Sequence, residues 1–342
     1  MKKTVALLFG GNSDEHTISI TSTHYISEIL KSMGFPVECY YFDYENNIFI
    51  IEQNDVSIAK TVKNLSTPLE LTNFIQLIKD KIVFPINYGK CAEDGKLYAF
   101  LELYDIPSII GGSYKSYALS FDKIFTKYFL NALKIDTPRY KSYSLNFQKK
   151  AEIVNDILKT FSTPIIIKPR SNGSSIGVSL VRLLNQFNVE KAIEGAAQYD
   201  IDLICEEFVE NFREFQVAII QSKTDFIISK PLEIISKSDF LTYEEKFNSN
   251  STINYLPLAE KDNLIVFAMQ EISLKIMKEL SLKHFLRVDF LYSPNNNVLY
   301  VNEISPMFGM AKESAFWKLW RNSNQNDEIT VELILKNFDG IE

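Results

Sequence analysis

Cysteine and histidine are scarce in this chain, three of each in 342 residues. Cys39, Cys91 and Cys205 are scattered and odd in number, so they suggest neither a disulfide framework nor a zinc cluster, and a reducing cytoplasm fits them best. His16, His24 and His284 lack metal-ligand spacing, and for all but His16 an exposed or hydrogen-bonded ring is the favoured reading. Long apolar runs are missing too. The run at the front, Lys3 to Phe9, ends at Gly10-Gly11 and is too short for a signal peptide or a membrane span. No block of like charge occurs: the net charge is -7 with lysines interspersed among acids, which argues against a nucleic-acid partner. There is no G-x-G-x-x-G, so a dinucleotide or nucleotide-sugar enzyme would rest on Gly10-Gly11 alone. Internal repeats and low-complexity segments are absent.

What is present is a globular composition, 46% hydrophobic over a length that suits two or three domains. Lys3 to Phe9 reads as a strand, and Ile18, Ser22, Tyr25, Ile26, Ile29, Leu30 and Met33 follow at helical spacing up to Gly34. Apolar runs at Val37 to Phe42, Ile82 to Ile86 and Ile106 to Ile110 alternate with helical stretches such as Asp94 to Tyr104, predicting an open α/β unit with a mainly parallel sheet. Beyond Gly111-Gly112, a helix over Ser120 to Leu133, strands at Pro138 to Tyr143 and Pro164 to Lys168, and a helix over Gln186 to Ala197 make a smaller α+β module. Around Asp202 to Glu206 a third region begins, β-rich from Glu214 to Ile235, with a helix over Glu260 to Leu282. Its polar segment Ser236 to Tyr255 lacks periodicity and is long for a loop, leaving a lid or disorder as the two readings.

Phe285 to Tyr292 and Val298 to Ile304, joined by Pro294-Asn295-Asn296-Asn297, read as a β-hairpin. Centred on Asn296, it sets Asp289 opposite Glu303 and Arg287 opposite Ser305 on one face. Facing carboxylates repel unless they share a proton or a cation, and oxygen ligands suit Mg²⁺. A phosphate-and-metal site and a solvated hairpin are both open on this spacing. Ile165-Ile166-Ile167-Lys168 delivers a lysine at a strand end, before Gly173-Ser174-Ser175-Ile176-Gly177, whose N–H and hydroxyl groups suit phosphate oxygens. The loop leads into another strand and lacks a Gly-Lys-Ser/Thr ending, so it is not a Walker A loop, and a plain hairpin turn is the commoner use. Glu15 stands near a helix start, where the dipole alone favours a carboxylate. Glu206 and Glu214 close or follow an apolar strand; such acids hold ribose hydroxyls or an adenine edge in some proteins and are simply solvated in others.

In chain order, Leu8-Phe9-Gly10-Gly11 with Glu15-His16, Gly89 with Glu93-Asp94-Gly95, Asp122-Lys123 with Thr126-Lys127, Lys168-Pro169 with Gly173 to Gly177, Arg287-Val288-Asp289-Phe290 and Asn302-Glu303 resemble the motifs of the D-alanine:D-alanine ligases of the ATP-grasp superfamily. The resemblance covers nearly the whole chain. It implies an α/β and α+β fold: an N-terminal domain over 1–111, then a two-part ATP-grasp module divided into 112–205 and 206–342. It implies an ATP-dependent ligase that activates a carboxylate as an acyl phosphate for attack by an amine, in peptidoglycan precursor synthesis, with ATP and Mg²⁺ required. Lys123 and Lys168 would hold the nucleotide phosphates, Glu206 and Glu214 the adenine edge and ribose, and the loop at Ser174 and Ser175 would close over the γ-phosphate. Asp289 and Glu303 would bind Mg²⁺, Arg287 and the Gly309 N–H the oxyanion, and Glu15, oriented through Ser174, the first ammonium. Ser314 would receive the second substrate's carboxylate, and Lys246 would reach the phosphates from a lid. A homodimer without nucleic-acid or membrane partners is expected.

Three departures from that pattern bear on function. Where the family has acid-x-Asn followed by Thr-x-Pro-Gly, the chain has Glu303-Ile304-Ser305-Pro306-Met307-Phe308-Gly309, so the neutral hydroxyl of Ser305 replaces an amide metal ligand. Leu-His-Gly becomes Asn87-Tyr88-Gly89, a phenol in place of an imidazole. The lid tyrosine becomes Phe247, as in D-alanine:D-lactate members, which brings D-lactate, D-serine or another acceptor into view. Ser305 motivates one further alternative, a degenerate fold that binds nucleotide without catalysis.

Overall fold

The computed structural model describes residues 2–52, 56, 67–162, 164–236, 254–259 and 262–338. Strand β1 (Val5–Gly10) carries only buried side chains, the pattern of a strand covered on both faces. β2 (Val37–Phe42) lies parallel to it on one side, with β3 (Ile48–Ile51) antiparallel beyond, and β4 (Ile82–Pro85) lies parallel on the other. Gly10, at φ +84°, turns the chain towards helix α1 (His16–Ser32); a Cβ there would lie 2.2 Å from the Phe42 carbonyl oxygen. Helices α2 (Leu71–Ile78) and α3 (Lys96–Leu103) complete this unit. The strand expected over Ile106 to Ile110 is reduced to one parallel bridge between Val83 and Ile109, because Gly111, at φ +130°, takes the chain out of the ladder.

The helix expected from Ser120 to Leu133 is two helices, α4 (Tyr114–Phe121) and α5 (Lys123–Ala132). Asp122 divides them. Its backbone is extended, and its carboxylate accepts the N–H groups of Ile124 (2.9 Å) and Phe125 (3.0 Å) and the Arg170 Nε–H (2.8 Å). A second, antiparallel sheet runs β5 (Tyr140–Ser144), β8 (Asp202–Glu207), β6 (Ile165–Pro169), β7 (Ser179–Val181). Helices α6 (Lys150–Thr160) and α7 (Gln186–Ala197) bury Ile153, Val154, Ile157, Val189 and Ile193 in its core.

The third sheet has the order β12 (Asn254–Pro257), β11 (Leu232–Ile235), β9 (Arg213–Ser222), β13 (Phe285–Ser293), β14 (Val298–Ser305), with β10 (Asp225–Ile228) also paired to β9. Helix α8 (Asn263–Glu279) packs on β9 and β13 through Met269, Ile276 and Met277. Helices α9 (Ala315–Asn322) and α10 (Asp327–Leu335) follow β14. Phe308, Phe316, Trp317 and Trp320 join the same core as β1, so the two ends of the chain close on one another. The Tyr25 hydroxyl of α1 donates to Asp327, and the Tyr25 ring meets Trp317 edge-on at 5.7 Å. Among the described residues no helix is long and apolar enough to cross a membrane.

Candidate active site

A cavity of about 730 Å³ opens where the three sheets meet, a volume in the range of small-molecule sites. Its lining includes Glu15, Tyr88, Lys123, Lys168, Ser174, Ser175, Glu206, Glu214, Arg287, Asp289, Glu303, Ser305, Gly309 and Ser314, residues spread from one end of the sequence to the other. Lys246 and Phe247 lie outside the described residues.

On the β13–β14 wall, Asp289 faces Glu303 and Arg287 faces Ser305. The register arises differently from the expectation of a regular ladder. Pairing runs from Ser293 with Val298 to Phe290 with Val301, then slips by one residue, so Asn302 is bulged and Asp289 meets Glu303. The Arg287 guanidinium donates to both oxygens of Asp289, Nε to Oδ1 at 2.7 Å and a terminal nitrogen to Oδ2 at 2.9 Å, and to Ser305 Oγ at 3.4 Å. Gln216 on β9 also donates to Asp289, at 3.2 Å. Burial works against the Arg287 charge, yet Asp289 and Glu303 hold its pKa above the ordinary value.

The lining also carries lysines, from α5 and β6. Glu206, buried at the end of β8, lies 2.7 Å from Lys168 Nζ and 3.0 Å from Lys127 Nζ. Burial pushes its carboxyl up, but the two lysines overcome this and hold it down at about 2. Burial lowers Lys127 to about 8, and burial with the nearby charge of Lys168 lowers Lys123 to about 8. Lys123, at the start of α5, donates to the Asn172 carbonyl, tying that helix to the serine-glycine loop. The role of Lys127 was missed from sequence although a signal existed: Ile124, Lys127 and Leu130 share the buried stripe of α5, and a lysine on such a stripe needs an acid partner.

At one end of the cavity Ser174 Oγ donates to Glu15. Ser174 and Ser175 stand at φ +53° and +61°, and the Ile176 N–H reaches the Gly173 carbonyl at 3.1 Å, which makes a type I′ turn of two residues that rarely adopt it. A Cβ on Gly173 would lie 3.1 Å from Glu15 Oε2 and 3.6 Å from Glu93 Oε2, so the two carboxylates crowd the same glycine. Burial and the Glu15 charge push the Glu93 carboxyl well above the usual carboxylate range. In the sequence Glu93 stands out only as part of the Glu93-Asp94-Gly95 motif, because its burial and its closeness to Glu15 arise from the fold.

The loop after β14 is pinned at several points. Tyr117 OH donates to the Pro306 carbonyl at 3.2 Å, Trp317 Nε1 donates to the Met310 carbonyl at 2.9 Å, and the Met310 N–H donates to Ser22 Oγ (3.1 Å) and Tyr88 OH (3.2 Å). Gly309 lines the cavity between these fixed points. Tyr88 is fully buried, and burial raises its phenol pKa, so it stands there as a neutral group. Ser314 precedes α9, its Oγ buried and without a hydrogen-bond partner among the described residues.

Family models match over almost all of this architecture: D-ala D-ala ligase N-terminus over residues 4–111 and D-ala D-ala ligase C-terminus over residues 129–335. The chain belongs to the D-alanine–D-alanine ligase family. A D-alanine–D-alanine ligase of Halothermothrix orenii is 33% identical over 343 residues, covering 98% of this chain and 98% of that protein. One from Prochlorococcus marinus is 30% identical over 355 residues, covering 99% and 97%. Among solved structures, D-alanyl-alanine synthetase A from Vibrio cholerae superposes with a TM-score of 0.78 at 25% identity, covering 98% of each chain. The VanG D-Ala:D-Ser ligase of Enterococcus faecalis gives 0.83 at 24% identity, covering 98% of this chain and 99% of that one, a likeness of fold.

Proposed function

We propose that this protein is an ATP-dependent ligase that condenses two molecules of D-alanine, forming ADP, phosphate and D-alanyl-D-alanine. The observation that carries the reading is that one cavity is lined by Lys123 and Lys168 together with the Asp289–Glu303 pair and the hydrogen-bonded Ser174 and Glu15. Two facing carboxylates and a hydroxyl are oxygen donors only, the donor set that suits Mg²⁺ held together with phosphates. Asp289, Glu303 and Ser305 would hold that ion, whose charge would neutralise the phosphate oxygens.

On this reading Lys123 and Lys168 bind the nucleotide phosphates. Glu206 sets the lysines and has lone pairs to spare for the adenine amino group, while Glu214 meets the ribose. Glu15 takes the ammonium of the first D-alanine. Glu93 stands beside Glu15, and burial and the Glu15 charge disfavour its ionised form. The first carboxylate then attacks the γ-phosphoryl group and displaces ADP; the second amine, after its ammonium gives up a proton to solvent, attacks the carbonyl of the acyl phosphate, and phosphate leaves as the peptide bond forms. Arg287 and the Gly309 N–H face the oxyanion of that second step, a stabilisation worth about 3 kcal/mol per donor in comparable sites. Ser314 Oγ, buried and without a partner among the described residues, accommodates the second carboxylate. The names of the relatives favour D-alanine over D-lactate or D-serine as acceptor. We further infer domains over 1–111, 112–205 and 206–342, and a homodimer in the cytoplasm.

Purified protein with ATP, Mg²⁺ and D-alanine should release phosphate and give D-alanyl-D-alanine by mass. Phosphate release that ignores the amino acid would sink the proposal.

A further inference from the structure

Arg170 follows β6, two residues after Lys168 and two before Asn172, and its own side chain lies outside the cavity lining. Its backbone carbonyl accepts the Lys123 N–H at 3.1 Å, and its N–H donates to the Asp202 carbonyl on β8 at 2.9 Å. Its guanidinium meets Asp122 Oδ2 through Nε at 2.8 Å and through a terminal nitrogen at 2.7 Å, and the other terminal nitrogen lies 3.8 Å from Asp202 Oδ2. The Lys123 ammonium in turn donates to the Asn172 carbonyl. Main chain and side chains therefore clasp the start of α5 to the segment from Lys168 to Asn172 at several points.

Asp122 divides its two oxygens between its partners. Oδ1 accepts the N–H groups of Ile124 and Phe125 and caps α5, while Oδ2 takes the guanidinium. A cation beside a helix N-terminus is disfavoured by the dipole, so the stability of α5 does not by itself account for an arginine there. What the arginine adds is a charge-assisted tie between the helix that begins with Lys123 and the strand that carries Lys168.

Resting on the ligase reading above, with Lys123 and Lys168 on the nucleotide phosphates, we propose that Arg170 is a positioning residue for the phosphate site. Through Asp122 it fixes the Lys123 ammonium relative to Lys168 and the serine-glycine loop. It touches no substrate, and its contribution is read in nucleotide affinity.

The test titrates the full chain, with Mg²⁺ present, against the non-hydrolysable β,γ-imido analogue of ATP by calorimetry, and follows dipeptide formation separately. Arg170→Met keeps an apolar stem and removes the charge. It should weaken analogue binding and raise the KM for ATP about tenfold, because a small misplacement of a binding group lowers its effect steeply. The KM for the first D-alanine at saturating ATP and the urea midpoint should hold. Asp122→Asn retains an oxygen for the cap but withholds the charge from Arg170, so it should show the same loss. The double variant should lose no more than Arg170→Met alone, as for two residues acting through one contact. Arg170→Lys should recover most of the affinity. Unchanged analogue binding, losses that add in the double variant, or a fallen urea midpoint with all KM values raised together would overturn the role. Wild-type protein that binds the analogue and forms no dipeptide would remove the ligase reading and leave the variant affinities to decide the role of Arg170; wild type that binds no nucleotide would remove both.

Discussion

Asp289 and Glu303 face one another across β13 and β14 because Asn302 is bulged from the ladder between them. The two acids differ in what each has to lose. Asp289 is buried and neutralises Arg287, whereas Glu303 is exposed to the cavity side of the strand. Asp289→Asn therefore strands a buried guanidinium and should destabilise the fold by about 3 kcal/mol, read by urea denaturation, as well as abolishing turnover. Glu303→Gln should leave stability within about 0.5 kcal/mol and act on the Mg²⁺ requirement alone. Equal losses of stability in the two variants would contradict this division.

Ser305 faces Arg287 from the end of β14. An asparagine there would extend an amide oxygen towards the carboxylate pair, a better donor for a hard cation than a neutral hydroxyl. Ser305→Asn should lower the Mg²⁺ concentration for half-maximal phosphate release several-fold. A magnesium titration that does not move would show that position 305 is not a ligand.

The carboxylate pair was legible before the structure because strand alternation and a four-residue turn restrict the register to few choices. The mechanism of that register was not, since a bulge at Asn302 leaves no mark in the hydrophobic pattern. The break at Asp122 was hidden for a related reason: the periodicity runs through both α4 and α5, and the capping role depends on Arg170 arriving from another segment. The clamp of Lys127 and Lys168 on Glu206 joins α5, β6 and β8, a meeting that only tertiary structure creates.

The type I′ turn at Ser174-Ser175 holds two serines in the left-handed region, at about 1–2 kcal/mol each. Glycine adopts that region freely but loses more entropy on folding. Ser175→Gly should thus stabilise the protein by about 0.5–1 kcal/mol, measured by thermal or urea unfolding. Ser174→Ala keeps the strain and removes the hydrogen bond to Glu15, so it should raise the KM for the first D-alanine without a gain in stability. A stabilised Ser174→Ala with normal KM would refute the link between the turn and Glu15.

Lys123 titrates at about 8, below its ordinary value, because burial and Lys168 disfavour its charge. As pH rises through 8 the free protein loses that positive charge. The value of kcat/KM for ATP should then fall by up to tenfold per pH unit, while Lys123→Arg should hold its level to higher pH. For stability the sign reverses: the unfolded lysine binds its proton more tightly, so the Lys123 contribution grows as pH rises from about 8 towards the unfolded pKa of about 10.4. A flat kcat/KM profile between pH 7 and 9.5 would exclude Lys123 from phosphate binding.

Tyr88 accepts the Met310 N–H at 3.2 Å from a fully buried position, and Ser22 Oγ shares the same donor at 3.1 Å. Because two acceptors serve one N–H, Tyr88→Phe leaves Met310 satisfied and should cost only about 1 kcal/mol of stability. Its effect on turnover should exceed that, since the phenol helps fix the loop that presents Gly309. Tyr88→His tests the chemistry of the position. A phenol raised above its ordinary pKa stays neutral across the working range, whereas an imidazole titrates near 6.5. The histidine variant should therefore acquire a new acidic limb in kcat/KM that wild type lacks, as protonation places a positive charge close to Glu93 and Glu15. If wild type already shows a limb near pH 6.5 and Tyr88→His does not alter it, another group governs that ionisation and the neutral phenol is not what sets the pH range.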